Sequence, residues 1–585
     1  MCVMASKRDL LIRLTLSSAM LCATAVQAAD WQRQRAGHSV RDEQPATTLP
    51  EIDPGAINPP GPELKRESLP VPDRWRLLDT LGIIEEKWYD PYNQNTLKGD
   101  KPIHDDWFLS LSLISDSVIE PRRIPTPVGP ITANNPGSVD VIGSGDQLVL
   151  NQNFIFSAAY YKGDTIFRPP DYEYRFTAVL NANYVRTDEL RALYIDPQNG
   201  DSRNDSHVGV QDLYADKHLR NVSQRYDFDS LRVGIQPFTV DFRGFLFIDN
   251  PFGIRLFGTR ANNVYQYNLA WFRRIEKDTN SGLNDIGQAL RDDDVFVANI
   301  YKQDYPVLGF TSQLALVHNI NRESEKNYYD NNGFLVRPAS IGTEQPREYD
   351  VTYIGYNGDG HFGRHNLSLS TYYAIGNEDR ATFSGKPSDI DAFFAAAEYS
   401  RDYDWIRARL SFVYGSGDED PYDNKSTGFD AIFENPLIAG ADTSFWIRQP
   451  VANIGGGGVA LSGRNGVLNS LRSSKDQGQS NFTNPGIQLI GFGLDADITP
   501  QTRISTNINH LWFDTTKVLE VSRNQGNIDR DIGWDVSVAG IYRPYFTQNI
   551  VLRLSAAVLV PGKGYEQMFG DELNYSVLGN FVFTY

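Results

Sequence analysis

The sequence predicts an all-β fold: a transmembrane, up-and-down antiparallel β-barrel of about 18 strands, behind a proline-rich N-terminal extension containing one short helix. Three observations predict it. Apolar and polar residues alternate in repeated segments of about ten residues from Asp105 onward. The connections between these segments alternate between short and long. The last eleven residues form an amphipathic strand, with Tyr575, Val577, Gly579, Phe581, Phe583 and Tyr585 on one face and Ser576, Leu578, Asn580, Val582 and Thr584 on the other. A strand at the carboxyl terminus leaves a bare sheet edge, and barrel closure removes it.

Residues 1–28 read as a secretory signal. Lys7, Arg8 and Arg13 precede and enter an apolar run from Leu10 to Val26, and cleavage is expected after Ala28. Cys22 follows Leu21, so the small residue that a lipidation signal needs before its cysteine is missing. Cys2 and Cys22 both leave with the signal, and the mature chain then has no disulfide, thiolate metal site or covalently attached haem. Residues 29–104 form a proline-rich periplasmic segment, with Pro45, Pro50, Pro54, Pro59, Pro60, Pro62, Pro70 and Pro72, expected to be extended. Within it Trp75, Leu77, Leu78, Leu81, Ile84 and Trp88 recur at helical spacing, so one amphipathic helix is expected over Asp73 to Trp88, packed on the barrel rim or plugging its mouth.

The barrel is expected over residues 105–585. Trp107, Leu109, Leu111 and Leu113 share one face, as do Tyr174, Phe176, Ala178, Leu180, Ala182 and Tyr184. The pattern recurs at Tyr265, Tyr267, Leu269 and Trp271, at Leu367 and Leu369, and at Ile406, Ala408, Leu410, Phe412 and Tyr414. It returns in Trp534, Val536, Val538 and Tyr542 and in Ile550, Leu552, Leu554, Ala556 and Val558. Short turns fall at Gly363 to His365, Arg401 to Asp404, Thr499 to Gln501 and Pro544 to Gln548. Long connections run from Glu276 to Asp293, Asn321 to Glu348, Gly415 to Pro485, Asp514 to Ile532 and Pro561 to Asn574. Short periplasmic turns and long external loops put both chain ends in the periplasm, and about 18 strands imply a water-filled lumen.

Composition agrees. Tyr 30, Phe 31 and Trp 9 occur in a chain with no later stretch long and apolar enough for a membrane helix. Lys+Arg 55 against Asp+Glu 73 gives −18, and loss of the signal takes this to about −20, a charge that excludes nucleic acid as a partner.

The terminal strand resembles the last strand of bacterial outer-membrane barrels, in which a final aromatic residue is part of the signal read by the assembly machinery. The resemblance implies that Phe581, Phe583 and Tyr585 carry that signal and that the mature chain lies in the outer membrane of a Gram-negative bacterium. Further stretches resemble the alginate-export family of 18-stranded barrels. They are Asp531-Ile532-Gly533-Trp534-Asp535, Leu552-Arg553-Leu554 and Val560-Pro561-Gly562-Lys563-Gly564-Tyr565, with weaker likeness at Leu231 to Gln236 and at Tyr414-Gly415-Ser416-Gly417. That family conducts an anionic polyuronate out of the periplasm. The implied partners are outer-membrane lipid and lipopolysaccharide, the barrel assembly machinery, an anionic polysaccharide and periplasmic export proteins. This chain departs from the family at Ser555 and Ile235, where pore arginines are expected.

If the apolar faces meet lipid, their alternates line the lumen, and these include Arg175, Arg232, Arg407, Arg409, Arg503, Arg543 and Arg553. Most fall toward the short-turn end. A guanidinium stays charged and donates two parallel hydrogen bonds to a carboxylate, so such a wall favours a polyanion. The competing expectation is that they brace the barrel in ion pairs with interior acids such as Glu173, Asp229 and Asp535.

Other candidates carry little chemistry. Asp418, Glu419, Asp420 and Asp423 match no defined calcium loop. Gly455 to Gly458 has no Lys-Ser/Thr after it. His361 and His365 flank a turn at Gly363. No catalytic residue, metal ligand or cofactor is expected. The reading is an anion-selective, non-enzymatic channel for an anionic saccharide or other anionic solute. The alternatives are a general porin and a barrel sheath around a periplasmic partner such as a multihaem cytochrome.

Overall fold

The computed structural model describes residues 102–125, 144–163, 169–223, 227–449, 451, 453–454, 459, 461, 464–544 and 548–585. The signal, the extension as far as residue 101 with its expected helix, and the Gly455 to Gly458 run lie outside the described residues. Eighteen long strands among the described residues form one closed antiparallel sheet. They are β1 (Trp107–Arg123), β2 (Asp146–Lys162), β3 (Tyr172–Thr187), β4 (Ser202–Asn221), β5 (Phe228–Ile235) and β6 (Phe252–Arg260). β7 (Tyr265–Arg273), β8 (Asp293–Lys302), β9 (Phe310–Asn321), β10 (Tyr349–Phe362), β11 (His365–Glu378) and β12 (Ser388–Tyr403) follow. The last six are β13 (Ile406–Gly415), β14 (Ile487–Thr499), β15 (Thr502–Trp512), β16 (Asp531–Tyr542), β17 (Ile550–Pro561) and β18 (Asn574–Thr584). Each pairs with its chain neighbour, and β1 pairs with β18 from Ile114↔Thr584 to Arg123↔Tyr575, closing the barrel. Pairing begins slightly before the expected boundary at Asp105, because Pro102–His104 folds back on Trp107 and Phe108.

The expected outward faces are the exposed ones: Leu554 is 66% exposed, Ile490 57% and Leu410 55%. Ranks of exposed Leu, Ile and Phe on strand after strand make a surface suited to hydrocarbon, and with the closed sheet this is the architecture of an outer-membrane barrel. The connection expected at Arg401 to Asp404 sits slightly later, at residues 404–405, because β12 continues to Tyr403. At 363–364, Gly363 supplies the positive φ of 65° that a two-residue hairpin turn needs.

The water-filled lumen expected from the strand number is in part occupied by the protein's own loops. Residues 236–251, between β5 and β6, and the described residues of 416–486, between β13 and β14, fold inward and pack on one another. The amides of Ile432 and Phe433 both donate to the Leu246 carbonyl at 3.1 Å, and Arg464 donates to the Ile248 carbonyl at 2.8 Å. Phe245, Phe247, Phe429, Phe433, Phe445 and Trp446 from these loops form a core with the inward wall residues Phe272, Tyr353, Tyr372 and Phe394. The apolar content of the loops explains their course, since burying such side chains against the wall removes them from water.

Candidate functional site

Cross-strand register puts Arg175, Arg232, Arg407, Arg409, Arg503 and Arg553 on the inward face, alternating with lipid-facing neighbours such as Phe176, Val233, Leu410, Ile504 and Leu554. Arg543 lies in the turn after β16 and donates to Gln548 at 3.0 Å. The inward set is a ladder of ion pairs. Arg503 holds Asp497 through two bonds of 2.7 and 2.9 Å, and Arg407 holds Asp402. Arg409 meets Asp495 at 2.9 Å, the Asn507 amide oxygen at 2.7 Å and Glu398 at 3.7 Å. Arg175 meets Glu173 at 3.2 Å, and Arg232 meets Asp216 at 2.9 Å while lying 4.2 Å over the Tyr214 ring. Arg553 pairs with Asp442 on the inward loop.

Wall acids accompany the wall arginines, as the competing expectation has it, although beside Glu173 they are Asp216, Asp402, Asp495 and Asp497 and not the acids named there. A guanidinium has five N–H donors and a bidentate pair uses two. Arg407, Arg503 and Arg175 keep 46%, 45% and 39% of their side chains exposed, so donors remain open to the lumen. Of the acids expected to brace the interior, only Glu173 does so by pairing with an arginine. Asp229 lies on the outward face, where it takes Arg220 at 2.9 Å, Arg260 at 2.8 Å and the Tyr267 hydroxyl at 2.5 Å. Asp535 is inward but holds a loop, accepting from the Ser444 hydroxyl and from the amides of Phe445 and Trp446 at 3.0 Å.

The loop between β5 and β6 brings a cation the sequence reading missed. The Asp241 carboxylate accepts the amides of Arg243 at 2.9 Å, Gly244 at 2.6 Å, and Phe245 and Leu246 at 3.1 Å, while Gly244 takes φ 73°. This folds residues 241–246 into a tight tip, and the Tyr372 hydroxyl ties it to the wall by donating to Asp241 at 3.0 Å. Arg243 projects from the tip to the Ser368 hydroxyl at 2.9 Å, Asp359 at 3.6 Å and Glu398 at 3.7 Å. Glu398 is shared with Arg409, so a charged relay runs from loop tip to wall: Arg243, Glu398, Arg409, Asp495.

Gly493 makes room for that relay, because a Cβ there would lie 2.9 Å from the Arg409 guanidinium and 2.7 Å from Asn507 Oδ1. Arg255, also missed, is held by Asn268 at 2.7 Å and lies 4.6 Å over Phe257. The signal that could have found this region was the inward glycine pair Gly491 and Gly493, which strand propensity alone does not favour.

The remaining motifs stay structural. Asp418 is buried and accepts from the Asp420 amide and the Thr427 hydroxyl at 3.4 Å, while Asp420 and Asp423 accept the amides of Tyr422 at 3.1 Å and Lys425 at 2.8 Å. These carboxylates cap turns and do not converge on a cation. His361 bonds Asn366 and His365 bonds the Tyr399 hydroxyl at 2.6 Å, on opposite faces of the sheet. Among the described residues no group of His, Cys, Asp and Glu is arranged to hold a metal.

Comparison with solved structures returns distant matches that extend over most of this chain. OccK9 (OpdG) of Pseudomonas aeruginosa aligns at TM-score 0.45 and 13% identity over 82% of this chain and 98% of that one. OccK1 (OpdK) of the same organism aligns at 0.44 and 12%, over 82% and 98%. Acinetobacter baumannii OccAB3 aligns at 0.43 and 10%, over 82% and 99%. No protein-family model and no curated protein matches the sequence. The resemblance to alginate exporters finds no support in these comparisons.

Proposed function

We propose that this barrel is a passive, substrate-selective channel for anionic solutes, with anionic saccharides as the favoured class. One observation carries the reading: Arg175, Arg407, Arg409, Arg503 and Arg553 face inward toward the short-turn end of the wall, Arg409 and Arg553 beside the inward loops, and three of the five keep exposed donors. A solute carboxylate reaching this wall exchanges water for preplaced guanidinium donors, which lowers its entry barrier, while the paired wall acids keep binding weak enough for release. The inward loops support a solute channel over a sheath, since chain 416–486 takes up space that a folded cytochrome would need. The abundance of wall carboxylates favours the second reading, a general porin with a mixed lining.

Single-channel recording of the mature chain in a planar bilayer tests the proposal. The expected result is an anion-selective reversal potential that moves toward cation selectivity in the Arg407→Glu, Arg409→Glu variant, by about half as much with Gln at both positions. Uronate oligomers are expected to block the current, and neutral oligomers of equal size much less. A cation-selective pore, or one indifferent to these changes, overturns the proposal; equal block by neutral sugars favours the general porin.

A further inference from the structure

We infer that the outward periplasmic rim between β2 and β8 is a binding surface for the headgroups of anionic phospholipids. The observations are independent of the lumen and of the channel's cargo. Lys162, Arg260 and Lys302 are the last residues of β2, β6 and β8, and Lys217 and Arg220 lie near the end of β4, all at short-turn ends. Register puts Lys162 opposite Trp107, Lys217 opposite Tyr172, and both Arg260 and Lys302 opposite Tyr265. They therefore share the outward face with Phe156, Leu213, Ile254 and Ile300, each exposed to the membrane.

Each of four cations rests on a neighbouring ring. Lys162 lies 5.8 Å over Trp107, Lys217 5.4 Å over Tyr172, Arg260 5.0 Å over Tyr267, and Lys302 4.2 Å over Tyr305. An aromatic ring at the membrane interface holds the stem of such a side chain at headgroup depth while its N–H donors point to the phosphate layer. Asp229 neutralises part of the arc through Arg220 and Arg260. Among the described residues, the ammonium groups of Lys162, Lys217 and Lys302 have no carboxylate partner.

At the opposite rim three outward arginines are paired. There Arg123 meets Asp146 at 2.7 Å and Glu572 at 2.6 Å, and Arg322 meets Asp350 at 2.8 Å and Glu348 at 3.7 Å. Arg273 likewise meets Asp292 and, at 3.4 Å, Asp294. In this arc three outward ammonium groups are thus left uncompensated at the short-turn rim, where a phosphodiester without an ammonium of its own complements them; Arg186 at the other end of β3 and Arg401 at the end of β12 stand singly as outward cations without a carboxylate partner among the described residues. The sector β13–β18 supplies an internal contrast: its outward rim carries Ile498, Ile504, Tyr542, Phe583 and Tyr585, and no outward Lys or Arg among its described strand residues.

Native mass spectrometry of the mature chain, released from nanodiscs of equimolar phosphatidylethanolamine and phosphatidylglycerol, tests the inference. The wild type is expected to retain phosphatidylglycerol in preference. The Lys162→Gln, Lys217→Gln, Lys302→Gln variant is expected to retain several-fold less of it, with phosphatidylethanolamine unchanged. Heat-modifiable migration on a gel reports that each barrel is folded, and Lys217→Gln alone, at an exposed site, serves if the triple variant does not assemble. Equal retention of the two lipids by the wild type, or unchanged phosphatidylglycerol in a folded variant, overturns the inference.

Discussion

Arg553 on β17 pairs with Asp442 on the loop between β13 and β14, so one ion pair joins the lumen wall to a segment that reaches within three residues of the short-turn end of that strand. The two side chains keep 24% and 39% of their exposure. A pair this open contributes about 0–1 kcal/mol to stability, so its role is positional. It holds a negative charge over a cation that would otherwise face the ion path.

Asp442→Asn is therefore expected to raise anion selectivity with little loss of stability, less than about 1 kcal/mol. Reversal potentials under a salt gradient measure the first and chemical denaturation the second. A shift toward cations would mean that Arg553 lies off the path.

Asp535 is fully buried, and its carboxylate holds three donors of the segment Ser444 to Trp446. Ser444 in turn caps the helical turn Phe445–Arg448 by accepting the Ile447 amide at 3.2 Å. Hydrogen bonds to a charged acceptor contribute roughly 1.5–3 kcal/mol each, so Asp535→Ala should undock the loop while the sheet persists. The expected signs are tryptic cleavage after Arg448 in the folded barrel and larger, noisier single-channel currents; a protease-resistant variant with unchanged current would refute this anchor.

Loop docking should also depend on pH. Burial pushes the Asp418 carboxyl up to about 7, the nearby charges of Asp423 and Glu378 push the same way, and the Asp420 amide and Thr427 hydroxyl oppose. Because this value lies above that of an exposed aspartate, the docked loop favours the protonated form. Docking is strongest below about pH 4, weakens as pH rises toward 7, and is constant beyond. Gating events counted between pH 4 and 8 are expected to rise across that window in the wild type, and Asp418→Asn should reduce the rise to the part carried by Asp430, whose carboxyl burial pushes up to about 6.

The barrel was legible because lipid outside and water inside impose a two-residue period, and the outward faces of β1, β3, β13, β17 and β18 follow it residue by residue. The turn asymmetry was legible for a related reason: short connections need only glycine or a polar pair. The inward loops were not, since Phe429, Phe433, Phe445 and Trp446 follow no period and are buried by contacts between two distant loops. Pairing of the wall arginines was among the expectations, but their longer-range partners were hidden for a related cause. Arg409 finds Asp495 86 residues away through cross-strand register, and Arg553 finds Asp442 111 residues away through the inward course of the loop.

The C-terminal residue separates closure from assembly. Tyr585 exchanges backbone bonds with Leu113 at 2.8 and 3.1 Å, so the seam between β18 and β1 is held by main-chain groups at this position, and Thr584 donates to the Asn549 carbonyl on the β17 side at 2.8 Å. The Tyr585 ring points outward with Phe583 and Phe581, adding to the aromatic rim. Tyr585→Ser keeps every one of those backbone bonds and removes only the ring. Refolding into detergent micelles is therefore expected to proceed to the same heat-modifiable barrel, with stability within about 1 kcal/mol of the wild type. Insertion in cells is expected to fall several-fold, read as the mature chain recovered in outer-membrane fractions, if the ring is what the assembly machinery reads. Equal loss in both measurements would assign the ring to barrel closure and remove it from the assembly signal.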